Sequence, residues 1–318
     1  MKRYHLRDKK AERWQRFGDV HVGGVTLKNP VMTASGTAGH GTELSAYFPL
    51  ESLGAVVVKS LYHEPWPGNP APRVHTAPSG MINAVGLQGP GVQQWLEHDA
   101  PALHQHGATV VASIWGRSVD DYACAAQMLT DVPDNIVAVE VNLSCPNLEG
   151  RSSIFAHDAQ LSSEVIRAVQ VCGKPVWAKL SANTDRIVEV ANAVQSAGAQ
   201  AVTLINTMLG MQIRSDGRAS LGNGGGGLSG PAIHPIAVRA IYDVHRACPD
   251  LDIIGVGGVA SGADVIEMMM AGAKAVQVGT ATFANPRASF QILHDGASQL
   301  SKLGVTRWGD IVAKAHRL

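Results

Sequence analysis

Short apolar runs rich in β-branched residues alternate along this chain with segments in which apolar residues recur at helical spacing. We expect the runs to be parallel strands covered on both faces, because such strands have no polar side. Eight strands are predicted, at 30–34, 55–59, 109–114, 137–142, 176–180, 201–205, 253–256 and 275–278. Six helices are predicted, at 92–106, 120–129, 159–171, 185–197, 231–247 and 263–271. This alternation predicts an α/β fold of the (β/α)8 barrel type rather than an open sheet.

Two connections, 61–90 and 207–230, are too long for ordinary barrel loops. The first is rich in proline, and the second contains a glycine run from Gly222 to Gly227 broken only by Asn223. Both leave the carboxyl ends of strands, where barrels carry their active sites, so binding loops are favoured over surface decoration. No linker divides the chain. We therefore expect one barrel domain over 1–318, with 1–28 as an N-terminal extension.

The composition excludes several classes of function. The 318 residues include 26 basic and 26 acidic side chains, a balance that argues against a surface for nucleic acid or an anionic membrane. The four cysteines form no Cys-x-x-Cys pair, and no apolar stretch approaches ~18 residues. The basic N-terminus does not resemble a signal peptide. A reduced, cytoplasmic protein without a membrane span is expected. His104 and His106 lack carboxylate partners at ligand spacing, so no metal site is predicted.

The strongest chemical signal is the segment Asn142-Leu143-Ser144-Cys145-Pro146-Asn147, which directly follows the apolar run 136–141 at the end of the fourth predicted strand. A thiol between two asparagine amides, just past a strand's carboxyl end, can act as a base or nucleophile beside a polar planar ligand. For Cys145 taken alone, a buried structural cysteine is the alternative interpretation.

Other predicted strands also end in polar residues. Lys59 ends the second strand, Lys179 lies near the end of the fifth, and Asn206-Thr207 follow the sixth. A lysine in an apolar strand needs a partner, which an anionic ligand, a flavin ring or an acidic side chain would supply. Asparagine amides at these strand ends and in the first long loop would suit both faces of an amide-rich ring. The four candidates are Asn83, Asn142, Asn147 and Asn206.

Glycine-containing turns follow the last two predicted strands, as Gly257-Gly258 and as Gly279-Thr280. In barrels these two loops often bind a phosphate through backbone N–H groups, and glycine permits a close approach. Gly230 would add a third backbone contact. Turn glycines are the alternative interpretation. Because neither a GxGxxG nor a Walker motif is present, a Rossmann or P-loop nucleotide site is not supported.

Together these segments resemble the dihydroorotate dehydrogenase family, and the catalytic subunit of its class 1B most closely. The resemblance extends from about Asn29 to Pro286, nearly the whole predicted barrel. It implies a TIM barrel that binds FMN and oxidises (S)-dihydroorotate to orotate in de novo pyrimidine (UMP) biosynthesis. The most specific matches are 34–37, 58–61, 83–88, 142–147, 205–207, 226–233, 257–258 and 279–280.

The resemblance also implies roles for individual residues. Cys145 matches the base that removes the C5 proton while a hydride passes from C6 to FMN. Lys179 would stabilise reduced FMN, and Lys59 would pair with the orotate carboxylate. The implied FMN contacts are Ser35, Lys59, Ser60, Ser113, Asn142, Lys179, Ile205, Gly230, Gly257, Gly258, Gly279 and Thr280. The implied substrate contacts are Lys59, Asn83, Ala84, Val85, Gly86, Leu87, Asn142, Asn147, Asn206 and Thr207.

The chain departs from the family pattern at two single positions and in one short segment. Ser113 stands where an asparagine that contacts FMN is usual, so that contact would depend on a shorter side chain. Gly89 replaces a usual asparagine, and Phe155-Ala156-His157-Asp158 occupy positions where small residues are more familiar. These departures leave the proposed base and the four asparagines in place.

The class 1B resemblance implies a partner subunit with FAD and an iron–sulfur cluster, which passes electrons to NAD. It also implies a homodimer or heterotetramer, while the final acceptor stays open between NAD, fumarate and others. Alternatives are a dihydropyrimidine dehydrogenase-like subunit, a non-catalytic flavin-binding barrel and a tRNA dihydrouridine synthase-like protein. Lys59 and the segment 83–87 favour dihydroorotate, because uracil and thymine carry no ring carboxylate.

Overall fold

The structure is a computed structural model that describes residues 14–144 and 154–317. Its strands are β1 (Val20–Val22), β2 (Val25–Leu27), β3 (Val31–Thr33), β4 (Val56–Val57), β5 (Val74–Ala77), β6 (Gly80–Asn83), β7 (Val110–Ile114), β8 (Ile136–Asn142), β9 (Val176–Lys179), β10 (Ala201–Leu204), β11 (Met208–Gly210), β12 (Gly226–Ser229), β13 (Asp252–Val256) and β14 (Ala275–Val278). Its α-helices are α1 (Val92–Gln105), α2 (Val119–Gln127), α3 (Ala159–Val169), α4 (Ile187–Ser196), α5 (His234–Ala247), α6 (Gly262–Ala271), α7 (Ala281–Ala284) and α8 (Ala288–Lys302).

Eight parallel strands form the barrel that the sequence predicts. Around the ring they run β3, β4, β7, β8, β9, β10, β13 and β14, and β14 pairs with β3. A parallel bridge between Met32 and Ala55 joins β3 to β4. Every residue of β7, β9, β10 and β14 is buried, which explains why these strands are apolar without alternation. All eight predicted barrel strands are confirmed.

The six predicted helices are also present, with small shifts at their ends. The predicted helix 231–247 begins as a 3-10 turn over Pro231–Ile233 and becomes α5 at His234. Capping boxes begin α2 at Ser118 and α6 at Ser261. Helices α7 and α8 were not predicted. Among the described residues, no helix is long and apolar enough to span a bilayer.

Part of the N-terminal extension closes the amino end of the barrel. Strands β1 and β2 form an antiparallel hairpin, and its turn contains Gly23. The Gly23 carbonyl accepts a hydrogen bond from Trp177 Nε1 at 2.9 Å, and its N–H donates to Asp252 at 2.7 Å. A Cβ on Gly23 would lie 2.3 Å from that indole nitrogen. The glycine therefore permits the hairpin to dock against β9 and β13.

The two long connections form a sheet of their own at the opposite end. It is antiparallel, with the order β11-β12-β6-β5. Gly227 lies opposite Asn83, and Leu228 lies opposite Ile82. A Cβ on Gly226 would come 2.4 Å from the Asn83 carbonyl, and one on Gly227 would come 2.0 Å from Thr207 Oγ1. Gly226 thus permits contact between the two connections, and Gly227 permits contact within the second.

Candidate active site

A cavity of about 810 Å³ lies at the carboxyl ends of the barrel strands, beside the four-stranded sheet. All the predicted binding residues in the described ranges line it, except Ser113. Cys145 and Asn147 lie outside the described residues. The predicted residues that line the cavity are Ser35, Lys59, Ser60, Asn83, Ala84, Val85, Gly86, Leu87, Asn142, Lys179, Ile205, Asn206, Thr207, Gly230, Gly257, Gly258, Gly279 and Thr280.

Asn142, the last residue of β8, organises the centre of the cavity. Its Oδ1 accepts hydrogen bonds from Asn206 Nδ2 and from the Ser144 N–H, each at 3.3 Å. Its Nδ2 donates to Ser60 Oγ at 3.3 Å, and its backbone carbonyl accepts from Tyr122 Oη at 2.8 Å. These bonds determine which end of the Asn142 amide presents a donor and which an acceptor.

Ser113 lies behind the cavity wall. It is fully buried, and its hydroxyl is 2.9 Å from Ser60 Oγ and accepts a hydrogen bond from Ser35 at 3.3 Å. Ser35 and Ser60 do line the cavity and are themselves 3.1 Å apart. Contact between Ser113 and a cofactor stays a prediction, whereas its described contacts support the two serines in front of it.

Lys179, at the end of β9, has an acidic side chain as its partner. Its Nζ lies 3.7 Å from Glu140 Oε1, and both side chains are buried. Oε2 of the same carboxylate accepts from Gln277 Nε2 at 2.6 Å and from Thr203 Oγ1 at 3.0 Å. The predictions did not include Glu140. The available signal for Glu140 was its position as an acidic residue inside the apolar run 136–142.

Lys59 follows β4 and lies near a histidine that the predictions also omitted. Its backbone N–H donates to the Gly39 carbonyl at 2.9 Å. Burial and the charge of Lys59 lower the pKa of His40, so the imidazole favours its neutral form beside the lysine. The His40 carbonyl is held by Trp95 Nε1 at 2.7 Å. His40 thus favours adding no second positive charge beside Lys59.

Two residues outside the predicted set hold the segment 84–87 from one side. Asn69 donates through Nδ2 to the Ala84 carbonyl and through its N–H to the Val85 carbonyl, both at 3.1 Å. Trp66 Nε1 donates to the Gly86 carbonyl at 3.0 Å. In each peptide the N–H points opposite to the carbonyl. The N–H groups of Val85, Gly86 and Leu87, which share peptides with these three carbonyls, are therefore directed away from Asn69 and Trp66.

Those amides form a group of donors at the cavity. None of the residues described in the structure accepts a hydrogen bond from the N–H of Val85, Gly86 or Leu87. Gly86 has φ 72° and Leu87 has φ 61°, left-handed conformations that leucine adopts rarely. Successive backbone N–H groups in such conformations commonly form anion-binding concavities.

The glycine loops after β13 and β14 present a second group of donors. Within the described ranges, the N–H groups of Gly258, Gly279 and Thr280 have no acceptor. The carbonyl of Gly257 accepts from His234 Nδ1 at 2.9 Å, which orients the peptide whose N–H belongs to Gly258. Thr280 Oγ1 donates to Ser229 at 2.8 Å. This donor set suits a phosphate.

The rim of the cavity is apolar and exposed. Four of its lining side chains are more than half exposed: Val74 at 51%, Leu209 at 69%, Met211 at 57% and Phe283 at 58%. They come from β5, β11, the segment after β11, and α7. Exposed apolar side chains grouped around one opening are typical of a surface that another molecule covers.

Known proteins resemble the chain over nearly its whole length. Residues 18–300 match the family Dihydroorotate dehydrogenase. The chain is 44% identical over 297 residues to the "Dihydroorotate dehydrogenase B (NAD(+)), catalytic subunit" of Alkaliphilus oremlandii, covering 93% of this chain and 97% of that protein. The protein of the same name from Alkaliphilus metalliredigens is 45% identical over 276 residues, covering 86% and 90%. That from Geobacillus kaustophilus is 42% identical over 300 residues, covering 94% and 95%.

Proposed function

The chain belongs to the dihydroorotate dehydrogenase family, and from that premise we propose that it oxidises dihydroorotate to orotate as the catalytic subunit of an NAD-linked enzyme. The pathway it would serve is pyrimidine biosynthesis. The observation that carries the proposal is one cavity that combines asparagine amides, two lysines and two groups of backbone N–H donors to which no described residue offers an acceptor. A pyrimidine carboxylate and a phosphorylated ring cofactor together match that set of donors and acceptors.

The cofactor we propose is FMN. The N–H groups of Gly258, Gly279 and Thr280 would hold its phosphate, because they lack acceptors among the described residues. Lys179 and Asn142 would bind its ring, since both are buried polar groups on the cavity wall. When bound, FMN accepts the hydride that leaves the substrate.

The residues of this chain would bind and orient the substrate. The amides of Val85, Gly86 and Leu87, together with Lys59, would bind the carboxylate, because these groups combine directed donors with positive charge. Asn142 and Asn206 would pair with the polar edge of the pyrimidine ring. Asn83, Asn147 and Thr207 would complete the contacts.

Cys145 would act as the base. It follows the last residue of β8 by three positions, at the carboxyl end of a barrel strand. As a thiolate it would take the proton from C5, while the C6 hydrogen leaves with two electrons and a carbon–carbon double bond forms. The base role is supported by the sequence segment alone.

A partner subunit completes the proposal. The relatives carry the words "catalytic subunit" in their names, which implies a second chain in those proteins. The exposed side chains Val74, Leu209, Met211 and Phe283 offer an apolar surface at the cavity for such a chain. We propose a subunit that carries FAD and an iron–sulfur cluster, because the cysteines of this chain have no cluster spacing.

The test is anaerobic reduction of the purified protein. We expect a yellow protein that releases FMN on denaturation, and a flavin spectrum that dihydroorotate bleaches and dihydrouracil does not. Bleaching by dihydrouracil alone would assign the chain to a pyrimidine-reducing enzyme instead. A colourless protein that does not take up added FMN would overturn the cofactor and the redox reaction together.

A further inference from the structure

Glu140 is a fully buried carboxylate inside the barrel, with 0% of its surface exposed. It comes from β8, and the groups that hydrogen-bond to it, Thr203 and Gln277, come from β10 and β14. Alternate strands contribute the side chains of one layer in a (β/α)8 barrel, so these three residues belong to one interior layer. The mechanism proposed above makes no use of this charge.

The two oxygens of Glu140 have different surroundings. Oε2 accepts both hydrogen bonds, from Gln277 at 2.6 Å and from Thr203 at 3.0 Å. Oε1 accepts none from the residues that the structure describes. It faces the Nζ of Lys179 at 3.7 Å, which is beyond hydrogen-bond reach. Glu140 therefore balances the charge of Lys179 without accepting one of its protons.

This arrangement leaves the Lys179 donors available to a ligand. The side chain lines the cavity although the residue is only 5% exposed. No residue in 14–144 or 154–317 accepts a hydrogen bond from Nζ. A buried ammonium without a counter-charge is strongly unfavourable, and one whose donors all bind its counter-ion cannot contact a ligand. The Glu140 carboxylate, 3.7 Å from Nζ, meets both requirements.

We propose that Glu140 is a positioning residue for the redox step. It holds the Lys179 ammonium at the cavity and limits how strongly that charge stabilises the negatively charged, reduced form of the cofactor. This inference rests on the proposed function, because it requires FMN bound against Lys179. The Lys179 ammonium would attract the reduced cofactor more strongly if the compensating charge of Glu140 were removed.

The experiment measures the midpoint potential of bound FMN by chemical reduction beside a reference dye. Four proteins are compared: wild type, Glu140→Gln, Lys179→Met and the double variant. Glu140→Gln is expected to raise the potential, because the reduced anion then meets an uncompensated ammonium. Lys179→Met is expected to lower it. In the Lys179→Met background, Glu140→Gln should change the potential much less, because the carboxylate acts through the lysine.

A control separates charge from packing. Thr203→Val removes a hydrogen bond to Oε2 but leaves both charges in place, so it should lower thermal stability and leave the potential close to that of wild type. If Glu140 had only a structural role, Glu140→Gln would behave in the same way. An unchanged or lowered potential in Glu140→Gln would overturn the inference, as would an equal shift in both lysine backgrounds.

Two further outcomes remain interpretable. If Glu140→Gln does not retain flavin, Glu140→Asp is measured instead. Aspartate keeps the charge but holds it farther from Lys179, so a smaller rise in the midpoint potential is expected. An unchanged potential in Glu140→Asp would then count against the inference. A wild-type protein that binds no FMN would overturn the proposed function itself. A loaded wild type with an unmoved potential in the variants would overturn this inference alone.

Discussion

Asn206 Nδ2 donates to Asn142 Oδ1 at 3.3 Å, although the two residues are 64 positions apart in the chain. Asn142 in turn donates to Ser60 at 3.3 Å, so three residues from different parts of the barrel form one chain of hydrogen bonds. The orientation of each amide depends on its neighbour, which leaves a defined pattern of donors and acceptors at the cavity. We expect substitutions in this group to have non-additive effects on ligand binding.

Cys145 is expected to dominate the chemical step. Cys145→Ala should retain FMN and lose most of its flavin reduction by dihydroorotate, since a general base typically contributes ~10²–10⁴-fold. Cys145→Ser should be active mainly at higher pH, because an alcohol is harder to deprotonate than a thiol of pKa ~8.5. Rapid-mixing measurements of flavin bleaching between neutral and alkaline pH test both. A wild-type rate in the alanine variant would assign the base to another residue.

Lys59 is expected to recognise the substrate carboxylate. Wild type should bind orotate more tightly than uracil, and Lys59→Met should narrow the difference by ~1.5–3 kcal/mol, or roughly 10–150-fold. Perturbation of the flavin spectrum measures both affinities, after the flavin content of the variant has been checked. Lys302→Met, at the exposed end of α8, serves as the control. If Lys59→Met still prefers orotate over uracil as strongly as wild type does, the carboxylate contact would be assigned to the backbone N–H groups of 85–87 instead.

Trp66 is expected to orient the segment 84–87. Trp66→Phe removes the hydrogen bond to the Gly86 carbonyl and keeps an aromatic ring, so orotate affinity should fall by about 2- to 12-fold, from a net ~0.5–1.5 kcal/mol. Trp177→Phe removes a similar bond, to Gly23, at the other end of the barrel. It should lower the free energy of unfolding by a similar amount and leave orotate binding unchanged. Equal effects of both variants on orotate would contradict the assigned role.

Gly227 is expected to tolerate no side chain. A Cβ there would lie 2.0 Å from Thr207 Oγ1 and 2.6 Å from its Cβ, so rotation of the threonine cannot relieve the clash. Gly227→Ala should lower the free energy of unfolding by ~1–3 kcal/mol and weaken substrate binding, because β12 would have to move away from Thr207 at the cavity wall. Gly309→Ala, where no atom lies within 4 Å of the added Cβ, is the matched control. Thermal unfolding of both variants, beside orotate titration, tests the prediction.

Tyr62 is expected to make the fold sensitive to alkali. Burial raises the pKa of Tyr62 from 10.0 to about 12, and the negative charge of Asp121 is the second contribution to this rise. The folded state therefore favours the neutral phenol, and its contribution to stability is complete below pH about 10 and lost as the pH rises through about 12. Unfolding measured across that range should show a smaller loss in Tyr62→Phe than in wild type. Tyr47→Phe, at a site 46% exposed, should behave as wild type.

The periodic parts of the fold were predictable from local patterns. The predicted strand 275–278 coincides with β14, and the other seven barrel strands differ by small shifts at their ends. Buried parallel strands must be apolar on both faces, and this requirement produces a signal in a single short segment. The hairpin of β1 and β2 has too few residues to produce such a signal.

The sheet over the cavity was not predictable in this way. Strands β5 and β12 are only partly buried or exposed, and β12 is rich in glycine. The pairing of β12 with β6 joins Gly227 to Asn83, which is far away in the chain. Glycine offers no hydrophobic pattern, so the length of the two connections was the available indication that they had a function.

The sequence likewise identified some residues of the candidate site and missed others. Cys145, Lys59, Lys179 and the asparagines were identified because parallel strands end on one side of a barrel, so polar residues at strand ends converge. Trp66 and Asn69 were missed because they act on backbone carbonyls, which no residue type reveals.

The sequence by itself determined the barrel, the order of its strands and the polar residues at their carboxyl ends. The tertiary structure alone decided that Glu140 faces the barrel interior and meets Lys179. In a strand covered on both faces, inward and outward positions are equally apolar, so no alternation indicates which side chains share a layer. Contacts between strands distant in the chain become definite only when the ring is closed.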